Sequence, residues 1–216
     1  LAFGVNTPRL TVANSSDEAT TRTTILSGYI QDEWRFYPEH SVILGTKFER
    51  HRHNHEKLNQ TYEASLWLPT LRYRFEVSDH SRLWAAVSHS GRIPSVAEQT
   101  MFIPFVSDAP GEGQNPFPWP LESFTAGNSR FDKETLLSFE LGFRTNVNDD
   151  NNIDIALYHN RYSDVRGFLA DQPRCLLSGL PAPACLAEDK VVFNGFFENG
   201  LSMTVNGLEV TWQSRF

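Results

Sequence analysis

From Thr135 to Asp164 the chain reads TLLSFELGFRTNVNDDNNIDIALYHNRYSD, and its large apolar residues fall at every second position: Leu137, Phe139, Leu141, Phe143, then Ile153, Ile155 and Leu157. Between them stand Ser138, Glu140, Gly142 and Arg144, then Asp154, Ala156 and Tyr158. Successive side chains of a β-strand point to opposite faces, so a period of two separates one greasy face from one wet face. The rhythm recurs over 24–36, 41–51, 68–77 and 81–90, and again over 201–214. Such a chain folds as antiparallel sheet. The open question is whether the apolar face covers a protein core or meets lipid.

Alternation alone does not choose, because a sandwich also turns polar residues outward. A soluble or periplasmic β-sandwich that binds protein or carbohydrate, with the apolar faces of two sheets packed together, is therefore the competing architecture. The connections are more selective. YPEH (37–40), SDH (78–80) and VNDDN (147–151) are tight turns of Pro, Asp, Asn and Ser, whereas 52–62, 91–134 and 163–190 are long. Short turns at one end of a sheet and long loops at the other are the plan of an outer-membrane barrel. Loops longer than about 15 residues are uncommon in a compact domain unless they carry function. Trp34, Phe36, Phe75 and Trp212 stand near the tight-turn ends, where an interfacial aromatic girdle would lie. No apolar run approaches the roughly 18 residues of a membrane helix. The expected fold is thus all-β, an antiparallel up-and-down meander forming part of a transmembrane β-barrel. Pairing is expected for 24–36 with 41–51, 68–77 with 81–90, and 135–146 with 152–162, with strands adjacent in sequence adjacent in space throughout.

The net charge of −7 and the lack of a basic stripe argue against nucleic acid as a partner. Catalytic constellations are lacking: Ser88, His89 and Ser90 are strand neighbours that face alternate sides, as are Asp32 and Glu33. No enzyme and no cofactor is expected. His51, His53 and His55 recur at alternate positions in HRHNH and are weak candidates for a metal, with a solvated loop top as the plainer account. Cys175 and Cys185 close a short Pro- and Gly-containing loop, a spacing that suits a disulfide in an oxidising compartment.

Several segments resemble one family, the TonB-dependent outer-membrane receptors. LSGYIQDEWRF is similar to its Gly-Tyr-x-Gln-Asp-x-Trp strand, and VILGTKFERH to its Leu-Gly-x-Arg strand, with Lys47 where Arg is usual. LPTLRYRFEVSDHSRLWAAVSHSGRIPSVAEQ resembles the long hairpin that ends in Arg-x-Pro-Ser-x-x-Glu. AGNSRFDKETLLSFELGFR resembles the block ending in Glu-Leu-Gly-x-Arg, with Ser129 in place of Pro and Phe131 in place of Leu. IALYHNRYSDVRGF and ENGLSMTVNGLEVTW follow in family order. The resemblance implies a bacterial outer-membrane location and active uptake of a scarce nutrient complex, a ferric siderophore first among them. It also implies energy from TonB acting through a plug domain and box. Neither the plug nor the family's last strands has a counterpart here, and the large transporter barrels have about 22 strands. Residues 1–216 are therefore expected to be a partial barrel without plug, with outer-membrane lipid, TonB and a small-molecule metal chelate as partners.

The segment 91–134 carries six prolines, at 94, 104, 110, 116, 118 and 120, which are expected to stiffen it and block helix. It also carries Phe102, Phe105, Phe117, Trp119 and Phe124. Rigid aromatics bury area at low entropic cost. Phe117 and Trp119 are the expected ligand contacts, with Arg92 as partner for an anionic chelate. Packing of the loop against its neighbours is the competing role for the same rings.

Overall fold

The structure, a computed structural model, describes residues 2–6, 9–14, 17–55, 59–107, 115–182, 184–186 and 189–215. Its elements in chain order are β1 (Ala2–Asn6), β2 (Arg9–Asn14), β3 (Asp17–Tyr37), β4 (His40–His55), β5 (Gln60–Ser78), β6 (Ser81–Arg92), α1 (Val96–Thr100), β7 (Phe102–Ser107), β8 (Leu121–Ala126), β9 (Glu134–Asn148), β10 (Asn151–Ala170), β11 (Arg174–Cys175) and β12 (Val191–Ser214). They divide into two compact units. The first comprises Leu1–Ile93, Lys133–Val165 and Ser202–Phe216, the second Pro94–Asp132 and Arg166–Leu201.

In the first unit the long strands run antiparallel in the order β1-β3-β4-β5-β6-β9-β10-β12, with β2 also on β3. The three expected hairpins are present, β3 with β4, β5 with β6 and β9 with β10. Each turns through two residues, Pro38–Glu39, Asp79–His80 and Asp149–Asp150. Turns and strand ends are tied laterally by Glu76 N–H to the Glu39 carbonyl (2.8 Å) and Asn146 N–H to the His80 carbonyl (2.8 Å).

Register carries the alternation across the whole sheet. Leu44 lies opposite Leu71, which lies opposite Val87, then Phe139. Phe75 lies opposite Leu83, then Phe143, then Ile155. Phe48 pairs with Gly28 and Trp67, so Leu26 and Ile30 share that face. Most of these side chains are exposed in the chain as it stands, Leu141 at 51 % and Trp67 at 65 %. A sandwich would have buried them.

The other face is charged and interlinked. Glu33, Arg72 and Glu140 lie in one lateral row, and Glu76, Arg82, Arg144 and Asp154 in another. Arg74 binds Glu76 at 3.2 Å, Lys47 binds Glu49 at 2.5 Å, and Arg144 is paired with Asp154. Two glycines on this face are fixed by close approach rather than by backbone angle. A Cβ on Gly142 would lie 2.2 Å from the Trp84 ring, and one on Gly207 would lie 2.1 Å from the Tyr158 ring. Each ring lies over a glycine, which explains Gly142 in ELGFR and Gly207 in NGLE.

The main departure from the meander lies between β6 and β9. β6 pairs with β9 rather than with β7, and β8 pairs parallel with β12, Leu121 opposite Val191 to Ala126 opposite Phe196. Sequence neighbours are therefore not spatial neighbours throughout. A parallel pair needs a crossover of a dozen or more residues, and the chain between Ala126 and Val191 is long enough to supply it. Two further expectations are corrected. The segment 52–62 is largely strand, because β4 continues to His55 and β5 begins at Gln60. The segment 91–134 is not a helix-free loop: α1 follows Pro94, with Ser95 as N-cap and Glu98 closing a capping box. Pro104 sits inside β7, on the edge of the sheet, where its missing N–H breaks no ladder.

Candidate ligand-binding site

The second unit is held from two sides. Around α1, the buried Glu98 carboxylate (6 % exposed) accepts from the Ser95 backbone N–H at 2.7 Å, the Ser95 hydroxyl at 3.0 Å and the Arg166 guanidinium at 2.8 Å. Arg166 also lies over the Phe197 ring, 5.6 Å from its centre. Asn128 donates its backbone N–H to the Glu98 carbonyl and its side-chain amide to the Phe197 carbonyl. The RIPSVAEQ and AGNSRF segments thus meet as one structural joint.

On the other side, β11, β12, β8 and β7 form a small sheet with two different faces. One face is a dry core of Leu121, Val191, Cys175 and Cys185, with Phe105, Phe117, Trp119 and Phe193 packed on it. Cys175 and Cys185 are joined by a disulfide, Cα to Cα 5.3 Å. Asn115 shapes the aromatic turn: its side-chain amide donates to the Trp119 carbonyl at 2.9 Å, and its side-chain oxygen accepts the Phe117 N–H at 3.0 Å. Asp189 braces the disulfide loop. Its carboxylate accepts from the backbone N–H groups of Leu177 (2.9 Å), Ser178 (3.2 Å) and Lys190 (2.8 Å) and from the Ser178 hydroxyl (2.8 Å). These donors, the Leu177 N–H foremost, lower its pKa to about 2 against the opposing effect of burial.

The opposite face of the same sheet is open. Phe102 (61 % exposed), Pro104, Val106, Phe124 and Arg174 line a groove of about 270 Å³ above Val192 and Asn194. Phe102 and Phe124 have ring centres 5.2 Å apart. Glu122, at the rim, is paired with Lys190 at 3.3 Å. The Arg174 guanidinium makes no ion pair or hydrogen bond among the described residues. The groove therefore offers two aromatic surfaces and one uncommitted cation.

The residues expected from sequence fall in different places. Phe117 and Trp119 are partly buried on the core face of the second unit. Arg92 belongs to the first unit, at the end of β6, where Glu134 binds it through two contacts of 3.0 and 2.5 Å. His51 and His53 keep separate partners. His51 Nε2 meets Glu49 at 3.1 Å, His53 Nδ1 meets the Thr23 hydroxyl at 2.8 Å, and the ring centres are 6.3 Å apart. The side chain of His55 lies outside the described residues. Cys175, Cys185 and Asp189 form a close group of potential metal ligands, but its two sulfurs are bonded to each other. Sequence reasoning missed Arg174 and the pairing of Phe102 with Phe124. The usable signal was alternation in MFIPFVS, which sets Phe102, Pro104 and Val106 on one side.

A sheet with one apolar outward face, one charged face and two-residue turns at one end is the wall of an outer-membrane β-barrel. A family model for the β-barrel of TonB-dependent receptor-like proteins matches residues 2–216, and the chain belongs to that family, whose members are transport receptors of the bacterial outer membrane. Solved structures share the fold. They include the siderophore receptor PirA from Acinetobacter baumannii (TM-score 0.53, 15 % identity, 95 % of this chain and 36 % of that one). Others are the copper transporter OprC (0.59, 14 %, 93 % and 27 %) and the ferric yersiniabactin uptake receptor FyuA from Yersinia pestis (0.53, 14 %, 92 % and 25 %). The chain thus spans about a quarter to a third of the length of these structures. Comparison with curated proteins finds no match.

Proposed function

We propose that the receptor containing this segment takes up a ferric siderophore or a similar anionic chelate, that TonB drives the uptake through a plug outside this chain, and that no bond in the ligand is broken. The observation that carries the ligand reading is the groove of Phe102 and Phe124 beside the uncommitted Arg174. Aromatic faces and a guanidinium together suit a ligand that is both planar and negatively charged. Siderophore receptors among the structures of like fold are in keeping with this reading. Phe117 and Trp119 serve the same face from behind, through the core that supports it, and their remaining exposure leaves direct contact to be tested. Arg92 serves by pairing with Glu134.

Growth on single iron sources identifies the ligand. Binding to whole cells carrying Arg174→Ala or Trp119→Ala in the receptor, with surface expression measured in parallel, then assigns the contacts. Loss of one charge-assisted contact of about 1.5 kcal/mol predicts roughly tenfold weaker binding for Arg174→Ala at normal expression. Unchanged affinity in Arg174→Ala would remove the groove from the ligand path. Weaker binding of Trp119→Ala at normal expression would place that ring in contact with ligand.

A further inference from the structure

The two faces of the small sheet in the second unit meet at β11, which is two residues long. Arg174 stands opposite Val192 and Cys175 opposite Val191. Because side chains alternate, Cys175 enters the dry core and Arg174 enters the groove. So short a ladder holds a strand weakly, and the loop behind β11 supplies what the ladder lacks. There the Cys175 N–H donates to the Leu180 carbonyl (2.7 Å), the Gly179 N–H to the Cys175 carbonyl (3.0 Å) and the Leu176 N–H to the Lys190 carbonyl (2.8 Å). Asp189 closes this loop. Its Oδ1 accepts the N–H groups of Leu177 and Lys190, and its Oδ2 accepts both donors of Ser178. One buried carboxylate thus ties the turn that follows Arg174 to the residue that precedes β12. From that same residue the Lys190 side chain reaches Glu122. Glu122 also stands opposite Val192, on the other side of β12 from Arg174. It is the acidic neighbour of the guanidinium across one strand, and Lys190 occupies it.

We propose, on the reading that the groove receives a ferric chelate, that Asp189 is the positioning residue for Arg174 and thereby sets the preference of the site for anionic over uncharged chelates. Asp189 touches no ligand. It acts through the loop, which fixes where the Arg174 backbone stands, and through Lys190, whose backbone it holds while the ammonium keeps Glu122 engaged. A loop ordered before binding spares the ligand the entropy of ordering it. The aromatic surfaces of Phe102 and Phe124 lie on β7 and β8 and do not depend on that loop, so an uncharged chelate that uses them alone is indifferent to Asp189.

The test is a double-mutant cycle on the purified full receptor, with two probes: an anionic tris-catecholate ferric complex and an uncharged tris-hydroxamate ferric complex. Arg174→Ala is expected to bind the anionic complex about tenfold more weakly. Asp189→Asn is expected to lose about three- to tenfold for the anionic complex and under about twofold for the uncharged one. In the Arg174→Ala background, Asp189→Asn is expected to change anionic binding by under about twofold, because the charge it positions is gone. Ser178→Ala, which removes one donor and leaves the carboxylate, is the milder variant, with an expected loss of about twofold in the same direction. Gel mobility of the folded form checks each protein. Unchanged anionic binding in Asp189→Asn, equal losses for the two complexes, or the same loss with and without Arg174 would each overturn the positioning role while leaving the groove as the ligand site. Unchanged binding in Arg174→Ala, or an unaltered receptor that binds neither complex, would instead remove the groove reading, and the positioning role with it.

Discussion

The two units solve the burial problem in opposite ways. In the first, the large apolar side chains of β3 to β6, β9 and β10 point outward, and the polar residues face one another across the strands. In the second, Leu121, Val191 and the disulfide make a small dry core with phenylalanine and tryptophan packed on it. One unit leaves its greasy face uncovered by protein among the described residues. The other covers its own, with a covalent link. Substitutions of the same chemical kind are therefore expected to have unequal effects in the two.

The largest effect separates the faces of the first unit. Leu141 lies opposite Ala85 and Leu157 on the outward face, well away from the turns. A charge there must enter hydrocarbon, and Leu141→Arg is expected to cost about 2–4 kcal/mol. Ala86, on the charged face opposite Arg72 and Glu140, already sits among ions. Ala86→Lys is expected to cost under about 1 kcal/mol. Urea titration of the receptor in lipid vesicles, followed by gel mobility, measures both. Equal costs would mean that the two faces do not differ as described.

The next effect belongs to the second unit alone. The disulfide closes a short loop, with Cys175 and Cys185 separated by 10 positions. A closed loop of this size is worth about 2–3 kcal/mol in the chain-entropy account. Replacing both cysteines by serine is expected to expose the 175–190 segment to protease while the first unit keeps its gel mobility and urea midpoint. A shift of that midpoint by the same amount would show that the units do not stand on separate footings.

The contrast also explains how much could be read from the chain. Between two solvents a strand must alternate, so Leu137 to Phe143 and Ile153 to Leu157 declared both their strands and their faces. Beyond the apolar band that constraint ends. The stretches at His53–His55 and Gln60–Tyr62 lie in strands, yet nothing in their residue types imposes a period of two. In the second unit the prolines read as loop, and Pro104 stands in a strand because an edge position has no ladder bond to lose. The Ser95…Glu98 capping box is legible by its spacing, but the prolines on either side of it, Pro94 and Pro104, point the other way. Phe117 and Trp119 were marked by composition, but which face they take is decided by Asn115 and by strand pairing across some 70 positions, from Leu121 to Val191. Arg174 is an unremarkable loop arginine until β11 pairs with β12 and sets it beside Val192.

The smallest effect concerns Asp189, and it sharpens the comparison by pH. Its carboxylate is 2 % exposed and holds four donors from the disulfide loop, which lower its pKa to about 2. In the unfolded chain an aspartate titrates near 3.8. A depressed folded value stabilises the ionised form, so this contribution is fully present above about pH 4 and is lost as pH falls toward 2. No comparable loss is expected at neutral pH, where the carboxylate is ionised in both states. Pepsin, active across that range, reports the opening of the 175–190 loop. Cleavage there is expected to rise as pH falls from 4 to 2 in the unaltered receptor. In Asp189→Asn the donors lose their charged acceptor, and the loop is expected to be cut readily at pH 4 with a flatter response below it. The disulfide must remain oxidised throughout, since reduction would open the same loop by another route. A pepsin profile identical in the two proteins would show that the Cys175–Cys185 link alone holds the loop and that Asp189 contributes nothing to its order.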